Sequence, residues 1–312
     1  MPLRTLLTER LGIRHPIIQG GMHYVGYAPL AAAVSNAGAI GVVTALTQPN
    51  AEALRTEIQK TRDLLTSPDV PIGVNLTVLP QLKAPDYPAI IQVLLDEKIP
   101  MVETAGSPQC AELWEMLKAK NPEVCIIHKC TTIRHALKAQ SLGCDMISLD
   151  GFDCAGHPGE ADVGNWVLQP VAARKLGIPY VTSGGVGDGK QLAASLALGA
   201  EGVNMGTRFM ATAEAPIHEN IKKALVEGDE NSTELVMRSL KNTERVYRNK
   251  TSKAVLAIEK EHPGTRVTLP LCCVPCSALC SLTALHCAVC MCVTLLLTDR
   301  RDRQDLPPRQ GR

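Results

Sequence analysis

Short apolar runs recur through the first two-thirds of the chain. Most of them are continuous rather than alternating, which is typical of parallel strands that are covered on both faces. There are eight such runs, at Ile17–Gln19, Ile40–Val43, Ile72–Asn75, Met101–Glu103, Val124–Ile127, Met146–Leu149, Tyr180–Thr182 and Gly202–Asn204. The pattern therefore predicts eight buried strands.

Segments of helical periodicity separate most of these runs. Pro49–Leu65 places apolar residues near a period of 3.6, with charges between them. Thr132–Leu142 and Gly189–Leu198 behave similarly, and Gly143 and Gly199 follow them where glycine commonly ends a helix. Strand and helix alternating eight times predicts an α/β fold, a (β/α)8 TIM barrel. A doubly wound sheet, the alternative, rarely needs so many similar strands.

The sequence after the eighth run changes in character. Residues 216–261 are charged and contain no strand-like run, which predicts a small helical subdomain after the eighth strand. We therefore predict a barrel over residues 1–215, a helical subdomain over 216–262 and an atypical Cys-rich tail over 263–312.

The tail differs from the rest of the chain. Val267–Thr298 contains no Asp, Glu, Lys or Arg and is long enough to cross a bilayer, for which about 20 residues suffice. Pro270 and Pro275 make it a poor helix, and its two C-x-x-C pairs leave zinc ligation open, although no metal site is assigned. We favour translated non-coding, mis-spliced or out-of-frame sequence over a membrane tail or an ordered Cys-rich segment.

Composition excludes several function classes. The net charge of +1 provides no field for nucleic acid or an anionic membrane, and 3% aromatic residues provide no base-stacking platform. The N-terminal ten residues are too charged for a secretory signal, so we expect an intracellular protein, with the cytoplasm as the default. The five cysteines from Cys110 to Cys154 are expected to be reduced and mostly buried, and Trp166 is assigned to packing.

Glycine-rich segments follow three of the predicted strands. Gln19–His23 has paired glycines, which let backbone approach a flat ligand closely. Thr182–Gly189 and Asn204–Arg208 follow the seventh and eighth strands, where barrels commonly bind phosphate on backbone N–H groups. Tight turns without a ligand are the alternative in each case.

Candidate chemistry concentrates after the fifth and sixth strands. Lys129 stands at a strand's carboxyl end, where it would hold negative charge on a bound ring. A surface lysine and a Schiff-base lysine are the alternatives. The loop after Met146–Leu149 contains His157, a candidate general acid or base, or a residue that merely caps a turn. Asp150 is either catalytic or a loop anchor that accepts backbone N–H bonds.

These features together indicate a flat, phosphorylated cofactor, and FMN fits best. A dinucleotide would require a G-x-G-x-x-G loop at the first strand, where only Gly20 and Gly21 are present. A long, proline-containing loop at Leu79–Pro88 is a candidate gate over this cofactor.

Several segments resemble the nitronate monooxygenase (2-nitropropane dioxygenase) family, FMN-dependent TIM-barrel oxidoreductases. The resemblance covers about residues 3–260, and its Cys154–Glu160 and Val74–Thr77 forms look most like the NADH:quinone reductase branch. The matching segments are His15–Met22, Gly73–Thr77, Glu103–Gly106, His128–Thr131, Asp150–Glu160, Ser183–Gly185 and Asn204–Phe209.

The resemblance implies a role for each matching residue. His157 would be the catalytic histidine. The implied cofactor contacts are Gly21, Met22 and His23 along the isoalloxazine, Asn75 and Thr77 at the ring or its chain, Lys129 near the N1–O2 edge, Asp150 and Ala155 beside the flavin, and Gly184, Gly185, Gly206 and Thr207 at the phosphate.

The resemblance implies oxidation of alkyl nitronates with O2, with a small-molecule substrate and no nucleic-acid partner. An NADH:quinone oxidoreductase using the same FMN site is the alternative, and the oligomeric state is not predicted. The sequence departs from the family after about Ala257, so a flavin-binding variant without activity is a further alternative.

Overall fold

Eight parallel strands form a barrel, as the sequence predicts. The structure is a computed structural model that describes residues 3–78 and 85–263. The barrel strands are β1 (Ile17–Gln19), β2 (Gly41–Thr44), β3 (Ile72–Val78), β4 (Met101–Gly106), β5 (Cys125–Cys130), β6 (Met146–Asp150), β7 (Tyr180–Ser183) and β8 (Val203–Met205).

Helices precede the first strand and follow the others. They are α1 (Leu6–Leu11), α2 (Ala28–Asn36), α3 (Ala51–Asp63), α4 (Tyr87–Asp96), α5 (Cys110–Lys120), α6 (Ile133–Ser141), α7 (Asn165–Lys175), α8 (Gly189–Ala197) and the short α9 (Thr207–Met210). Gly143 and Gly199 adopt φ values of 95° and 101° directly after the C-caps of α6 and α8, which confirms the predicted helix ends.

The barrel closes between its first two strands. The ladder runs from β2 through β3 to β8 and then to β1, with every pair parallel. The last junction is short, because Gln19 N–H donates to Ile40 O at 2.9 Å and Ile40 N–H donates to Ile17 O at 3.1 Å. These two bonds complete the ring.

Side chains inside the barrel change from apolar to polar along each strand. Interior positions recur every second residue, so Met101, Ile127 and Met146 form an apolar layer near the strands' amino ends. Leu7 and Leu11 of α1 pack against this layer. Two residues further along β4, β5 and β6, the same interior rows carry polar side chains, so polar side chains lie toward the carboxyl end of the barrel.

The segment after the barrel differs from the prediction. Helices α10 (Glu219–Glu227) and α11 (Lys250–Glu261) are present, but an antiparallel hairpin of β9 (Thr233–Val236) and β10 (Glu244–Tyr247) lies between them. The prediction of a wholly helical segment without strands is therefore wrong. Each strand has only four residues, and burial alternates along β10, so no apolar run marks it.

Other sequence predictions have mixed outcomes. The five cysteines from Cys110 to Cys154 are free and buried, as predicted. Trp166 is 74% exposed at the start of α7, so its assignment to packing is wrong. Most of the candidate gate, at residues 79–84, and the Cys-rich tail from residue 264 lie outside the described residues. None of the helices within residues 3–78 and 85–263 is long and apolar enough to cross a membrane.

Candidate active site

A layer of polar side chains fills the carboxyl end of the barrel. Its central member is Glu103 of β4, which is fully buried. Its Oε2 accepts hydrogen bonds from Asn75 Nδ2 at 2.7 Å and from the Gly21 N–H at 2.9 Å. Its Oε1 accepts from Asn204 Nδ2 at 2.5 Å. One carboxylate thus joins the ends of β1, β3, β4 and β8.

Lys129 lies beside this carboxylate. Its Nζ is 3.3 Å from Asp150 Oδ1 and 3.9 Å from Glu103 Oε1, and the side chain is 22% exposed. Burial lowers the pKa of Lys129. Asp150 and Glu103 raise it by more than burial lowers it, so the pKa of Lys129 lies above its ordinary value. Lys129 is therefore a partly accessible, permanent cation at the barrel mouth.

Within residues 3–78 and 85–263, no backbone N–H donates to the Asp150 carboxylate, so the described hydrogen bonds do not support the interpretation of Asp150 as a loop anchor. Burial raises the pKa of Asp150, while Lys129 and Ser183 oppose that rise. The backbone anchor is instead Asp153, whose Oδ2 accepts from the Asn165 N–H at 2.8 Å at the start of α7. Asp150 faces the cation, and Asp153 fixes the loop.

The two late glycine turns lie next to each other. Ser183 of β7 is paired with Asn204 of β8, so Gly184 and Gly206 follow neighbouring positions at the same barrel end. Gly184 and Gly185 have φ values of 88° and 72°, which L side chains rarely adopt. Among the described residues, the N–H groups of Gly184, Gly185 and Gly206 donate to no protein acceptor. They are donors available to an anion, and Thr207 begins α9 directly after them.

Two N–H groups of the turn after β1 donate to side chains of the barrel. The Gly21 N–H donates to Glu103, and the Met22 N–H donates to Thr44 Oγ1 at 2.9 Å. A Cβ at Gly21 would lie 2.2 Å from Asn75 Cβ, so only glycine fits here. Gly21 and Met22 thus have no N–H to offer a ring, and any contact from them is through van der Waals surface or carbonyl oxygen.

The remaining predicted side chains lie at the same end. Asn75 and Thr77 are on β3, where Thr77 Oγ1 donates to Asn75 Oδ1 at 3.4 Å. His23 follows the β1 turn and stacks on Tyr24, with ring centroids 4.1 Å apart. His128, next to Lys129, faces the outer side, where its Nδ1 lies 2.9 Å from Thr104 Oγ1. His128 therefore belongs to the packing layer and not to the mouth.

The β6 loop, residues 151–164, crosses this end of the barrel. A Cβ at Gly184 would meet Cys154 at 2.5 Å, and one at Gly159 would meet Thr131 at 2.6 Å, so the loop passes between the ends of β5 and β7. Ala155 is exposed on it. His157 is half-exposed, and its Nε2 lies 3.0 Å from Oε1 of the buried Glu244.

The hairpin holds this loop. Gly156 and Arg245 exchange backbone hydrogen bonds of 3.2 and 2.7 Å. Glu160 accepts from both the N–H and the hydroxyl of Thr243, at 2.8 and 2.7 Å. The Arg245 guanidinium donates to Phe152 O at 2.9 Å and lies 4.8 Å from the centre of the Phe152 ring. The hairpin after the barrel is therefore part of the candidate site's architecture.

Sequence reasoning missed three polar residues that the structure brings to the site: Glu103, Asn204 and Glu244. Glu103 and Asn204 carried a signal, because each is a polar side chain within an apolar strand run. Glu244 carried none, since its strand was not predicted. Among the described residues no cluster of His, Cys, Asp and Glu has the arrangement of a metal site.

Comparison with known proteins places the chain in a family. A family model described as nitronate monooxygenase matches residues 4–274. The chain is 38% identical to a 5-hydroxy-7a-methyl-1-oxo-octahydro-1H-indene-4-carboxyl-CoA dehydrogenase of Rhodococcus jostii, over 70% of this chain and 59% of that relative's length. It is 31% identical to a probable nitronate monooxygenase of Staphylococcus haemolyticus, over 73% of each chain.

Solved structures agree with this assignment. FabK from Thermotoga maritima superposes with a TM-score of 0.75 and 32% identity, covering 84% of this chain and 80% of that one. Nitroalkane oxidase from Streptomyces ansochromogenes superposes with a TM-score of 0.67 and 25% identity, covering 82% and 81%. The chain belongs to the nitronate monooxygenase family of oxidoreductases.

Proposed function

We propose that the protein is an FMN-dependent oxidoreductase that oxidises alkyl nitronates with O2. The observation that carries this proposal is the adjacency of two glycine turns with available N–H groups, next to a barrel mouth that contains a lysine cation. Phosphate binds well where several backbone N–H groups converge. A ring attached to that phosphate would extend over the polar layer.

The donor set suits FMN. Gly184, Gly185, Gly206 and Thr207 would hold the phosphate. A Cβ at Gly206 would meet only the Met22 side chain among the described residues, at 3.4 Å from Sδ, so no backbone of those residues crowds this position. Bound FMN would supply the electron-accepting ring, which the protein's own side chains do not provide.

The side chains of the mouth would orient that ring. Lys129 would hold negative charge at its N1–O2 edge, because a fixed cation in a shielded site needs little reorganisation. Asn75 and Thr77 would contact the ring or its chain, while Asp150 and Ala155 would border it. Gly21, Met22 and His23 would pack along it.

His157 would act on the substrate. A half-exposed imidazole on a loop above the mouth is suited to take the α-proton of a neutral nitroalkane or to hold the charge of a nitro group. We expect His157→Ala to lower turnover while the protein retains FMN. Loss of the flavin instead would show that the role assigned to His157 is wrong.

Two other oxidoreductase activities would use the same site. NADH:quinone reduction is favoured by the Cys154–Glu160 and Val74–Thr77 sequences, which resemble that branch of the family. Dehydrogenation of a CoA thioester is favoured by the 38% identity to the Rhodococcus jostii dehydrogenase. His157 would then orient the quinone or the thioester carbonyl.

Anaerobic mixing of the purified yellow protein separates these functions. Rapid bleaching by ethylnitronate, with no bleaching by NADH, supports the proposed activity. Bleaching by NADH and reoxidation by a quinone would replace it with quinone reduction, and bleaching only by a CoA thioester would replace it with dehydrogenation. A protein that binds FMN and is bleached by none of them would be an inactive variant. Borohydride trapping of substrate on Lys129, with no flavin present, would instead indicate Schiff-base chemistry.

A further inference from the structure

Glu244 is a buried carboxylate that lies next to His157, the candidate catalytic histidine. Its side chain is 3% exposed, whereas that of His157 is 50% exposed, and Oε1 lies 3.0 Å from His157 Nε2. The other carboxylate oxygen, Oε2, is buried and has no hydrogen-bond partner among the described residues. His157 is therefore the one described side chain within ion-pair distance of this carboxylate.

Stabilising the loop does not explain why a carboxylate occupies this position. The residues on either side already join the hairpin to the loop, through Thr243 to Glu160 and through Arg245 to Phe152 and Gly156. Burying a carboxylate with one oxygen unpartnered costs free energy. Because the residues on both sides of position 244 already hold the loop, the fold itself does not require a buried carboxylate at that position.

We propose that Glu244 is a positioning residue that sets the tautomer and orientation of His157, an inference that rests on the proposed function. A carboxylate accepts and does not donate, so the neutral imidazole carries its hydrogen on Nε2. Nδ1 then keeps the lone pair and is the ring nitrogen left for the substrate. This is the relation between carboxylate and histidine in acid–base dyads.

The proton transfer balances with these groups alone. The α-C–H bond of a neutral nitroalkane breaks, the electron pair stays on the substrate as the nitronate, and the proton goes to Nδ1. The ring then carries hydrogens on both nitrogens, and Glu244 stabilises its positive charge. The proton leaves Nδ1 to water before the next turnover.

Replacing Glu244 should slow the oxidation of a neutral nitroalkane more than that of a preformed nitronate. A preformed nitronate has no α-proton to lose, so its turnover does not use the Nδ1 lone pair that Glu244 sets. Glu244→Gln should lower kcat/KM for neutral nitroethane by about 10- to 100-fold, part of the ~10²–10⁴-fold that a positioned general base contributes. Turnover of preformed ethylnitronate should fall less than about threefold, so the ratio of the two rates changes.

Glu160→Gln is the matched control. It removes another carboxylate that joins the same hairpin to the same loop, without touching His157. If Glu244 only anchors the loop, the two variants should lower both substrates' rates by similar factors. Glu244→Asp moves the carboxylate away from His157 by the length of one methylene. It replaces Glu244→Gln in the same comparison if that variant fails to fold.

Long-range ¹H–¹⁵N NMR of the holoprotein gives a readout that does not depend on activity. The wild type and Glu160→Gln should show the His157 Nε2–H tautomer, and Glu244→Gln should show a mixture with the Nδ1–H form. An unchanged His157 signal in Glu244→Gln, with both substrates slowed equally, would overturn the inference. A wild type that shows the Nε2–H tautomer but oxidises no nitronate would reject the proposed function, and the positioning role would remain.

Discussion

Lys129 Nζ lies 3.3 Å from Asp150 Oδ1, and this pair stands between the apolar floor of the barrel and its open mouth. Glu103, fully buried, is 3.9 Å from the same ammonium. One cation thus lies close to two carboxylates whose side chains are at most 9% exposed. Since a buried charge without a partner is costly, this cation should matter to folding as well as to any ligand.

Lys129→Met should destabilise the flavin-free protein by about 3–5 kcal/mol, because it leaves two carboxylates without their cation. Urea unfolding of the apoprotein measures this loss. The double variant Lys129→Met/Asp150→Asn should recover part of it, since one stranded charge is then removed. If the effects of the two single substitutions simply add, Lys129 and Asp150 are not coupled.

Two glycines at the proposed phosphate turns should respond differently to substitution. Gly184 has φ 88°, and a Cβ there would lie 2.5 Å from Cys154, so Gly184→Ala should destabilise the fold by about 1–3 kcal/mol. Gly206 has a φ of −115°, and a Cβ there would make an ordinary van der Waals contact with Met22 Sδ at 3.4 Å, so Gly206→Val should fold normally but lose FMN affinity if phosphate binds there. Thermal melts and flavin titrations separate the two effects. Unchanged FMN affinity in Gly206→Val would place the phosphate elsewhere.

The barrel was predictable from sequence because its signal is local. Parallel strands buried on both faces appear as continuous apolar runs, and the glycine after α6 marks a helix end without knowledge of its neighbours. The interactions that build the site are not local. Glu103 contacts residues 28 and 101 positions away, and no pattern around Glu103 specifies which partners it meets.

The β9–β10 hairpin was also not predictable from local sequence. Strands of four residues with charged side chains lack the apolar run on which the strand prediction depends. β9 and β10 are stabilised by packing that the sequence does not display, with Val236 and Val246 in a small cluster with Val255 of α11. Glu244 was consequently missed, although its partner His157 was identified.

The hairpin should control the mobility of the β6 loop. Arg245→Ala removes a hydrogen bond to Phe152 O and the contact with its ring, so backbone amides of the β6 loop, residues 151–164, should exchange faster with solvent. Arg248→Ala is the matched control, because Arg248 binds Glu234 and Thr233 within the hairpin itself. Hydrogen-exchange mass spectrometry of both variants measures the difference. Equal exchange in the loop for the two variants would show that Arg245 does not hold it.

His128 should make the stability depend on pH. Burial, with the nearby charges of His135 and Lys129, lowers the pKa of His128 to about 4 from an ordinary 6.5. Between those two values the unfolded chain binds a proton that the folded protein excludes, so stability should fall as the pH falls from 6.5 to 4. This single group contributes a loss of about 3 kcal/mol, on the order of 1.4 kcal/mol for each pH unit.

The test compares pH slopes rather than absolute stabilities. His128→Gln keeps a polar partner for Thr104 and removes the titrating imidazole. Trp114 Nε1 still donates to Thr104 Oγ1, at 3.1 Å in the wild type. Urea unfolding of the wild type and of His128→Gln at pH 4.5, 5.5 and 6.5 should give a steeper loss for the wild type. Well above pH 6.5 the two should show the same pH dependence, because His128 is then neutral in both the folded and the unfolded state. Parallel curves down to pH 4.5 would mean that His128 is solvated enough to protonate in the folded barrel.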